Sequence, residues 1–132
     1  MSSVGGIDHL GLTVADLDAS LRFFTEALGW EKFGGNPDYP SAYLTNGHAK
    51  LTLWQQTGDA PRGFDRHDNV GLHHFALKVE SREALQDLFG QIADWPGVVV
   101  EFPPEPSGKG PKWHFMINEP GGTRMEFSHD PR

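Results

Sequence analysis

The sequence predicts an α+β fold of two tandem βαβββ modules, whose sheets curl around a shared cup with the helices outside. Two observations support this prediction. The second half of the chain repeats the first at a constant offset of 65 residues. Each half also contains one stretch with helical spacing of apolar residues and several stretches with strand alternation, in the same order. The length of 132 residues predicts one compact unit, or two small units that share a core, and we interpret residues 1–132 as a single domain.

The repeat is centred on one histidine in each half. His9 occupies the position of His74, and six further pairs of positions hold identical residues. These pairs are Gly6 and Gly71, Leu12 and Leu77, Val14 and Val79, Ala19 and Ala84, Phe24 and Phe89, and Trp30 and Trp95. Average residue usage would give roughly one or two chance identities over this window. We therefore interpret the chain as a duplicated module.

The first module is predicted over about residues 6–56. The stretch from Ile7 to Val14 alternates, which predicts a strand with one apolar face and a second face that includes His9. Asp16 is expected to cap a helix that ends at Gly29. Further strands are predicted over residues 31–33, 41–45 and 49–55, with a break at 34–37 and a hairpin turn at 46–47.

The second module is predicted over about residues 70–130, after a polar linker of about residues 57–69. Its first strand is expected at 70–79, and Ser81 is expected to cap its helix. The remaining strands are predicted at 98–102, 112–118 and 124–129. Residues 103–111 are rich in Pro and Gly and are expected to form a loop.

Composition excludes several classes of protein. The chain has 132 residues, a net charge of −7 and no cysteine. An acidic protein is repelled by nucleic acids and anionic membranes, so neither is an expected partner. Without cysteine, disulfides and thiolate chemistry are excluded. No apolar run is long enough to span a membrane and no secretory signal is visible, so a cytoplasmic protein is expected.

Strand phase predicts which side chains face the cup. If the apolar faces contact the helices, His9, His74 and Glu126 lie on the opposite faces. Two imidazoles and one carboxylate with open coordination positions are the ligand arrangement of non-haem Fe(II) enzymes. The three residues are therefore predicted to bind a divalent metal ion, which makes the cup a metal-binding cup. The alternative is a binding protein that kept the fold and lost the metal.

Other side chains predicted to face the cup suggest further roles. His114 is a candidate general base, since an imidazole can take a proton near neutral pH. The candidate substrate-binding residues are Trp54, Lys112, Met116 and Arg124. Ordinary packing, or a solvated charge at the rim, is the competing explanation for each of them. His73 is expected to face the other side of its strand and to be a surface or helix-packing residue.

Two motifs resemble the vicinal oxygen chelate superfamily. The run HLGLTVADLDASLRFFTEALGW, from His9 to Trp30, resembles the first strand and helix of that superfamily, and EPGGTRMEF at 119–127 resembles its last hairpin. The superfamily includes glyoxalase I, extradiol dioxygenases, fosfomycin-modifying transferases, methylmalonyl-CoA epimerase and bleomycin-binding proteins. The resemblance covers nearly the whole chain and implies paired βαβββ modules, a small-molecule substrate and a homodimer.

The resemblance also implies a set of metal ligands. The superfamily positions fall on His9, His74 and Glu126, with Thr52 at a fourth place where glyoxalase I-like enzymes have Glu or Gln. A threonine hydroxyl is a poor ligand for a divalent ion, so the fourth ligand of a glyoxalase I site is missing. Extradiol dioxygenases usually have a tyrosine where Met116 stands. The same three ligands suit Fe²⁺, Mn²⁺, Ni²⁺ or Zn²⁺, so the sequence does not distinguish the ion.

Two functions are consistent with these features. The first is a divalent-metal-dependent enzyme, dioxygenase-like or lyase/isomerase-like, that chelates a small substrate through two vicinal oxygens. The second is a bleomycin-resistance-like binding protein that sequesters a small aromatic or cationic compound without catalysis. The second is motivated by Trp54, by the acidic net charge and by the missing fourth ligand at Thr52.

Overall fold

The computed structural model describes residues 2–132. The chain divides into two compact units, unit 1 up to Pro61 and unit 2 from Arg62 to Arg132. Each unit contains one four-stranded sheet. In the described part of the chain, no helix is both long enough and apolar enough to cross a membrane.

Unit 1 has the order strand, helix, strand, strand, strand. Its elements are β1 (Leu10–Val14), α1 (Leu17–Arg22), a π-helical turn (Phe23–Ala27), β2 (Glu31–Asn36), β3 (Tyr39–Thr45) and β4 (Lys50–Gln55). The strand order across the sheet is β1-β4-β3-β2, with β1 parallel to β4 and the other neighbours antiparallel.

Unit 2 repeats this topology. Its elements are β5 (Phe75–Lys78), α2 (Arg82–Ile92), β6 (Val99–Pro106), β7 (Trp113–Asn118) and β8 (Arg124–His129). The strand order is β5-β8-β7-β6, again with the first and last strands parallel. The two units are therefore tandem βαβββ modules, which confirms the predicted fold class.

Helix capping and apolar burial explain how each unit folds. The side chain of Asp16 accepts a hydrogen bond from the Ala19 amide, and Ser81 does the same for Ala84, so both predicted N-caps are confirmed. The fully buried apolar residues lie on the helices and on one face of each sheet. They include Phe23, Phe24, Leu44 and Leu53 in unit 1, and Leu85, Ile92, Phe115, Ile117 and Met125 in unit 2.

The predicted start of the first strand in each module was too early, and one predicted break was wrong. β1 begins at Leu10 and β5 at Phe75, so His9 and His74 each precede a strand rather than lying within it. β2 continues through the predicted break at 34–37 as far as Asn36, with register shifts in its pairing to β3. A Cβ on Gly35 would lie 2.6 Å from the Ser41 carbonyl oxygen. Glycine therefore permits a close strand approach there rather than ending the strand.

The predicted loop at 103–111 was also partly wrong. β6 extends to Pro106, so Pro103 and Pro104 lie inside a strand. β6 is an edge strand of its sheet, and proline is tolerated there because one side of the strand has no neighbour to receive an N–H group. Lys112, predicted to start the next strand, lies just before β7.

Candidate functional site

Unit 2 brings two of the three predicted metal ligands together. Ala76 on β5 is the register partner of Glu126 on β8, so a small side chain lies beside the carboxylate. His74 precedes β5, and its Nε2 lies 3.3 Å from Oε1 of Glu126. Glu126 is only 8% exposed. Burying a carboxylate costs free energy unless the group is paired, so the side chains around Glu126 determine its chemistry.

His114 is the second neighbour of Glu126. Its Nδ1 lies 2.5 Å from Oε2 of the carboxylate, across β7 and β8. The other ring nitrogen, Nε2, lies 4.0 Å from Oε1 of Glu105. The ring also contacts Phe102, with 4.8 Å between ring centroids. The carboxylate of Glu126 therefore lies between two imidazoles, one at each oxygen.

The donor chemistry of His74 and Glu126 fits a divalent ion. Zinc binds nitrogen and oxygen at about 2.0–2.1 Å, so two ligands of one tetrahedral ion lie roughly 3.3–3.4 Å apart. The observed separation of 3.3 Å is of this size. Within residues 2–132 the structure gathers no group of three or more His, Cys, Asp or Glu side chains around a metal position. His9, the third predicted ligand, belongs to unit 1.

His9 is an exposed residue with an acidic neighbour. Its Nδ1 lies 2.7 Å from Oδ1 of Asp8. The hydrogen bond from His9, followed by the nearby positive charges, lowers the pKa of Asp8 below its ordinary value. A carboxylate on one ring nitrogen of a histidine leaves the other nitrogen available, as is common for metal-binding histidines.

Arg124 is engaged by a carboxylate rather than free. Its Nε donates to both oxygens of Glu101, at 2.9 and 2.8 Å, and the Asn118 amide donates to the same carboxylate at 3.1 Å. Burial raises the pKa of Glu101, but these hydrogen bonds outweigh it and hold the pKa below its ordinary value. The Nη1 of Arg124 lies 3.2 Å from Nδ1 of His73.

His73 contacts its neighbour in sequence, which the predicted strand phase did not anticipate. Its Nδ1 lies 2.7 Å from Nδ1 of His74, and the ring centroids are 4.9 Å apart. The strand begins only at Phe75, so alternation does not separate the two rings. Desolvation, followed by the charge of Arg124, lowers the pKa of His73.

Trp54 belongs to an aromatic group on the sheet of unit 1. Its ring lies 5.0 Å from that of Tyr39 and 5.9 Å from that of Tyr43, and Tyr43 lies 6.1 Å from Phe33. The indole Nε1 of Trp54 donates to Oγ1 of Thr52 at 2.9 Å. We call these four rings the unit 1 aromatic group. The register of β3 against β4 places Tyr43 beside Thr52. Strand alternation puts Tyr39 and Tyr43 on one face of β3, and this was the sequence signal for the aromatic group.

The remaining predicted site residues are in unit 2. Met116 is 4% exposed and is the register partner of Glu126. Lys112 is half-buried, and its carbonyl accepts a hydrogen bond from the Ser107 amide. No sequence pattern indicated Glu101, which is 23 residues from Arg124. For Asp8 and His73 the sequence did contain a signal, because they occupy equivalent positions of the repeat, each directly before the repeated histidine.

Comparison with known proteins gives one family and several similar folds. A sequence model of the Glyoxalase/Bleomycin resistance protein/Dioxygenase superfamily matches residues 6–127. The chain is also 27% identical over 121 residues to a trivalent organoarsenical cleaving enzyme from Bacillus sp. (strain MD1). That similarity covers 90% of this chain and 70% of the relative.

Solved structures share the fold over nearly the full length. A glyoxylase/bleomycin resistance protein/dioxygenase domain from Frankia sp. EAN1pec has 26% identity and a TM-score of 0.82, covering 98% of this chain and 95% of that one. Lactoylglutathione lyase from Agrobacterium tumefaciens has 21% identity and a TM-score of 0.71, covering 97% and 96%. The fosfomycin resistance protein FosX from Listeria monocytogenes has 17% identity and a TM-score of 0.74, covering 96% and 93%. The last two similarities establish the fold alone.

Proposed function

The chain belongs to the glyoxalase/bleomycin resistance protein/dioxygenase superfamily, and we propose that it is a divalent-metal-dependent enzyme. Its substrate would be a small molecule that chelates the ion through two vicinal oxygens. The observation that supports this proposal most is the 3.3 Å separation between His74 Nε2 and Glu126 Oε1. The proposed ligands are His74, Glu126 and, from the equivalent position of the first repeat, His9.

A divalent ion there would supply Lewis acidity and stabilise negative charge on a substrate oxygen. The side chains of the protein would supply proton transfer and substrate binding. Glu126 accepts a hydrogen bond from Nδ1 of His114, which leaves His114 Nε2 as the nitrogen that can take a proton. His114 is therefore the proposed general base. Its side chain is 16% exposed, which keeps the imidazole largely screened from water.

Substrate recognition is proposed at Trp54, Lys112, Met116 and Arg124. Met116 offers an apolar surface next to Glu126, and Lys112 offers a positive charge for an anionic group. Arg124 already pairs with Glu101, so a substrate would meet an ion pair rather than a free guanidinium. Both dioxygenase-like and lyase- or isomerase-like reactions are consistent with these groups. A homodimer in the cytoplasm is part of the proposal.

We do not propose an organoarsenical substrate for this chain, although one relative cleaves such compounds. Trivalent arsenic prefers sulfur ligands, and soft ions in general select thiolates. The chain has no cysteine. We therefore propose oxygen-rich substrates, namely vicinal diols and 1,2-dicarbonyls.

Turnover of such compounds tests the proposal. The purified protein, metal-free and reconstituted with Fe²⁺, Mn²⁺, Ni²⁺ or Zn²⁺, is incubated with catechols and with 1,2-dicarbonyls, and loss of substrate is followed. We expect turnover that requires one of the ions and that is lost in Glu126→Gln. Glu83→Gln is the matched control, because Glu83 is an exposed residue in the first turn of α2. Turnover that is equal with and without metal would contradict the proposal.

The second candidate function is sequestration of a flat aromatic or cationic compound. The unit 1 aromatic group favours it, because Phe33 and Tyr39 are 56% and 44% exposed and can stack on a ligand. Its test is titration of the metal-free protein with an aromatic cation, followed by tryptophan fluorescence. Saturable binding that is weakened by Tyr39→Ala and unaffected by His74→Ala would support this candidate. Absence of saturation would exclude it for that ligand class.

A further inference from the structure

The residue before each repeated histidine contacts the ring of that histidine in the same way. Asp8 precedes His9 and His73 precedes His74, and both pairs obey the 65-residue offset of the repeat. In unit 1, Asp8 Oδ1 lies 2.7 Å from Nδ1 of His9. In unit 2, His73 Nδ1 lies 2.7 Å from Nδ1 of His74. The residue types differ, but the nitrogen that is contacted is the same.

We propose that Asp8 and His73 are positioning residues that fix His9 and His74 in the tautomer with hydrogen on Nδ1. The lone pair of each neutral ring is then on Nε2. The link to metal binding rests on the proposed function, whereas the tautomer itself does not.

In unit 1 the assignment follows from the chemistry of a carboxylate. An ionised carboxylate only accepts hydrogen bonds. The nitrogen 2.7 Å from Asp8 must therefore be the donor, which places the hydrogen of His9 on Nδ1.

In unit 2 either imidazole could donate the hydrogen bond between His73 and His74. The contact with Arg124 shows which one donates. A guanidinium only donates hydrogen bonds. Arg124 Nη1 lies 3.2 Å from Nδ1 of His73, so that nitrogen has to accept. The hydrogen in the contact between the two histidines then belongs to Nδ1 of His74.

Glu101 holds the guanidinium of Arg124 in place. Both oxygens of Glu101 accept from Nε of Arg124, at 2.9 and 2.8 Å. The order of donation is His74 to His73, with Arg124 donating to His73 and to Glu101. In unit 2, His73, Arg124 and Glu101 together fix the tautomer of His74. In unit 1, the carboxylate of Asp8 alone fixes the tautomer of His9.

The consequence concerns Nε2 of His74, which faces Glu126 Oε1 at 3.3 Å. With hydrogen on Nδ1, a lone pair and a carboxylate oxygen face each other. Two acceptors at this distance repel unless a cation lies between them. The tautomer therefore prepares this pair of atoms for a cation, and second-neighbour groups of this kind typically change metal affinity by roughly 10–100-fold.

The first test is the tautomer in the metal-free wild-type protein. Protein labelled with ¹⁵N at histidine is studied by long-range ¹H–¹⁵N NMR at a pH where the rings are neutral. We expect the nitrogen without hydrogen to be Nε2 for both His9 and His74. Hydrogen on Nε2 of His74 would overturn the inference, whatever the protein does with metal.

The second test uses variants and Zn²⁺ alone as the probe, by competition with a chromophoric chelator. His73→Phe keeps an aromatic ring but removes the acceptor, and it should weaken Zn²⁺ binding roughly 10–100-fold. His73→Asp installs the residue type of the first repeat and should restore binding to near the wild-type value. Unchanged binding in His73→Phe, with an unchanged melting temperature, would overturn the positioning role.

The two proposals fail in different ways. If the wild-type protein shows the expected tautomer and binds none of the four divalent ions, the proposed function fails and the tautomer assignment stands. If it binds an ion with hydrogen on Nε2 of His74 in the metal-free state, the tautomer assignment fails and the proposed function stands.

Discussion

His114 Nδ1 and Glu126 Oε2 lie 2.5 Å apart, on adjacent strands of unit 2. The same carboxylate faces Nε2 of His74 with its other oxygen. One buried side chain thus links a candidate metal ligand to a candidate base. A substitution that removes the polar contact to Glu126 from either histidine should therefore alter the position of the carboxylate.

Replacing His114 with Asn separates base chemistry from metal binding. The Asn amide nitrogen can take the place of Nδ1 and still donate to Glu126, but no group remains to accept the substrate proton. We expect kcat to fall roughly 10²–10⁴-fold, the usual contribution of a general base, while the metal content is unchanged. Steady-state kinetics with the substrate found by screening measures this. An unchanged kcat would remove His114 from the chemistry.

Glu101 should contribute stability that depends on pH. Its folded pKa is held below the ordinary value of 4.5, so folding favours the ionised form. The contribution is complete above pH 4.5 and is lost as the pH falls through the folded pKa. We expect Glu101→Gln to lower the free energy of unfolding by roughly 1 kcal/mol at pH 7.

Urea unfolding of wild type and Glu101→Gln at pH 7 and pH 3 checks this sign. The difference between the two proteins should shrink at pH 3. A difference that grows as the pH falls would contradict the expected role of Glu101. Glu83→Gln is a control, because Glu83 is an exposed residue of the first turn of α2.

Two glycines should respond in opposite directions to substitution by alanine. Gly35→Ala forces a Cβ to 2.6 Å from the Ser41 carbonyl oxygen and should destabilise unit 1 by about 1–3 kcal/mol. Gly90 lies in α2, where an added Cβ would meet no atom of the described chain within 4 Å beyond its own helix. Gly90→Ala should stabilise by about 0.5–1 kcal/mol, because alanine is the better helix former. Thermal and urea unfolding measure both, and a stabilising Gly35→Ala would show that β2 and β3 are further apart.

The local parts of the fold were predictable from the sequence. Asp16 and Ser81 cap helices through contacts three residues away, so the pattern contains all the information that the cap needs. The extension of β2 past Gly35 and of β6 past Pro103 was not predictable in this way. Both depend on which strand is at the sheet edge and how closely two backbones approach, and these are properties of the folded sheet.

The candidate site shows the same division. Strand phase indicated that His74 and Glu126 face the same side, and in the structure their side chains lie 3.3 Å apart. The pairing of Arg124 with Glu101 joins residues on β8 and β6, which are not even neighbours in the sheet. No local pattern marks such a pair. The contact between His73 and His74 was missed because the strand starts later than predicted, at Phe75.

Elemental metal analysis tests the proposed metal site most directly. Untagged wild-type protein would be compared with His9→Ala, His74→Ala and Glu126→Ala, with His48→Ala as the control for general loss of histidine. We expect close to one divalent ion per site in the wild type and in His48→Ala, and its loss in the other three variants. Wild-type protein that stays empty after reconstitution with each of the four ions would contradict the proposed site.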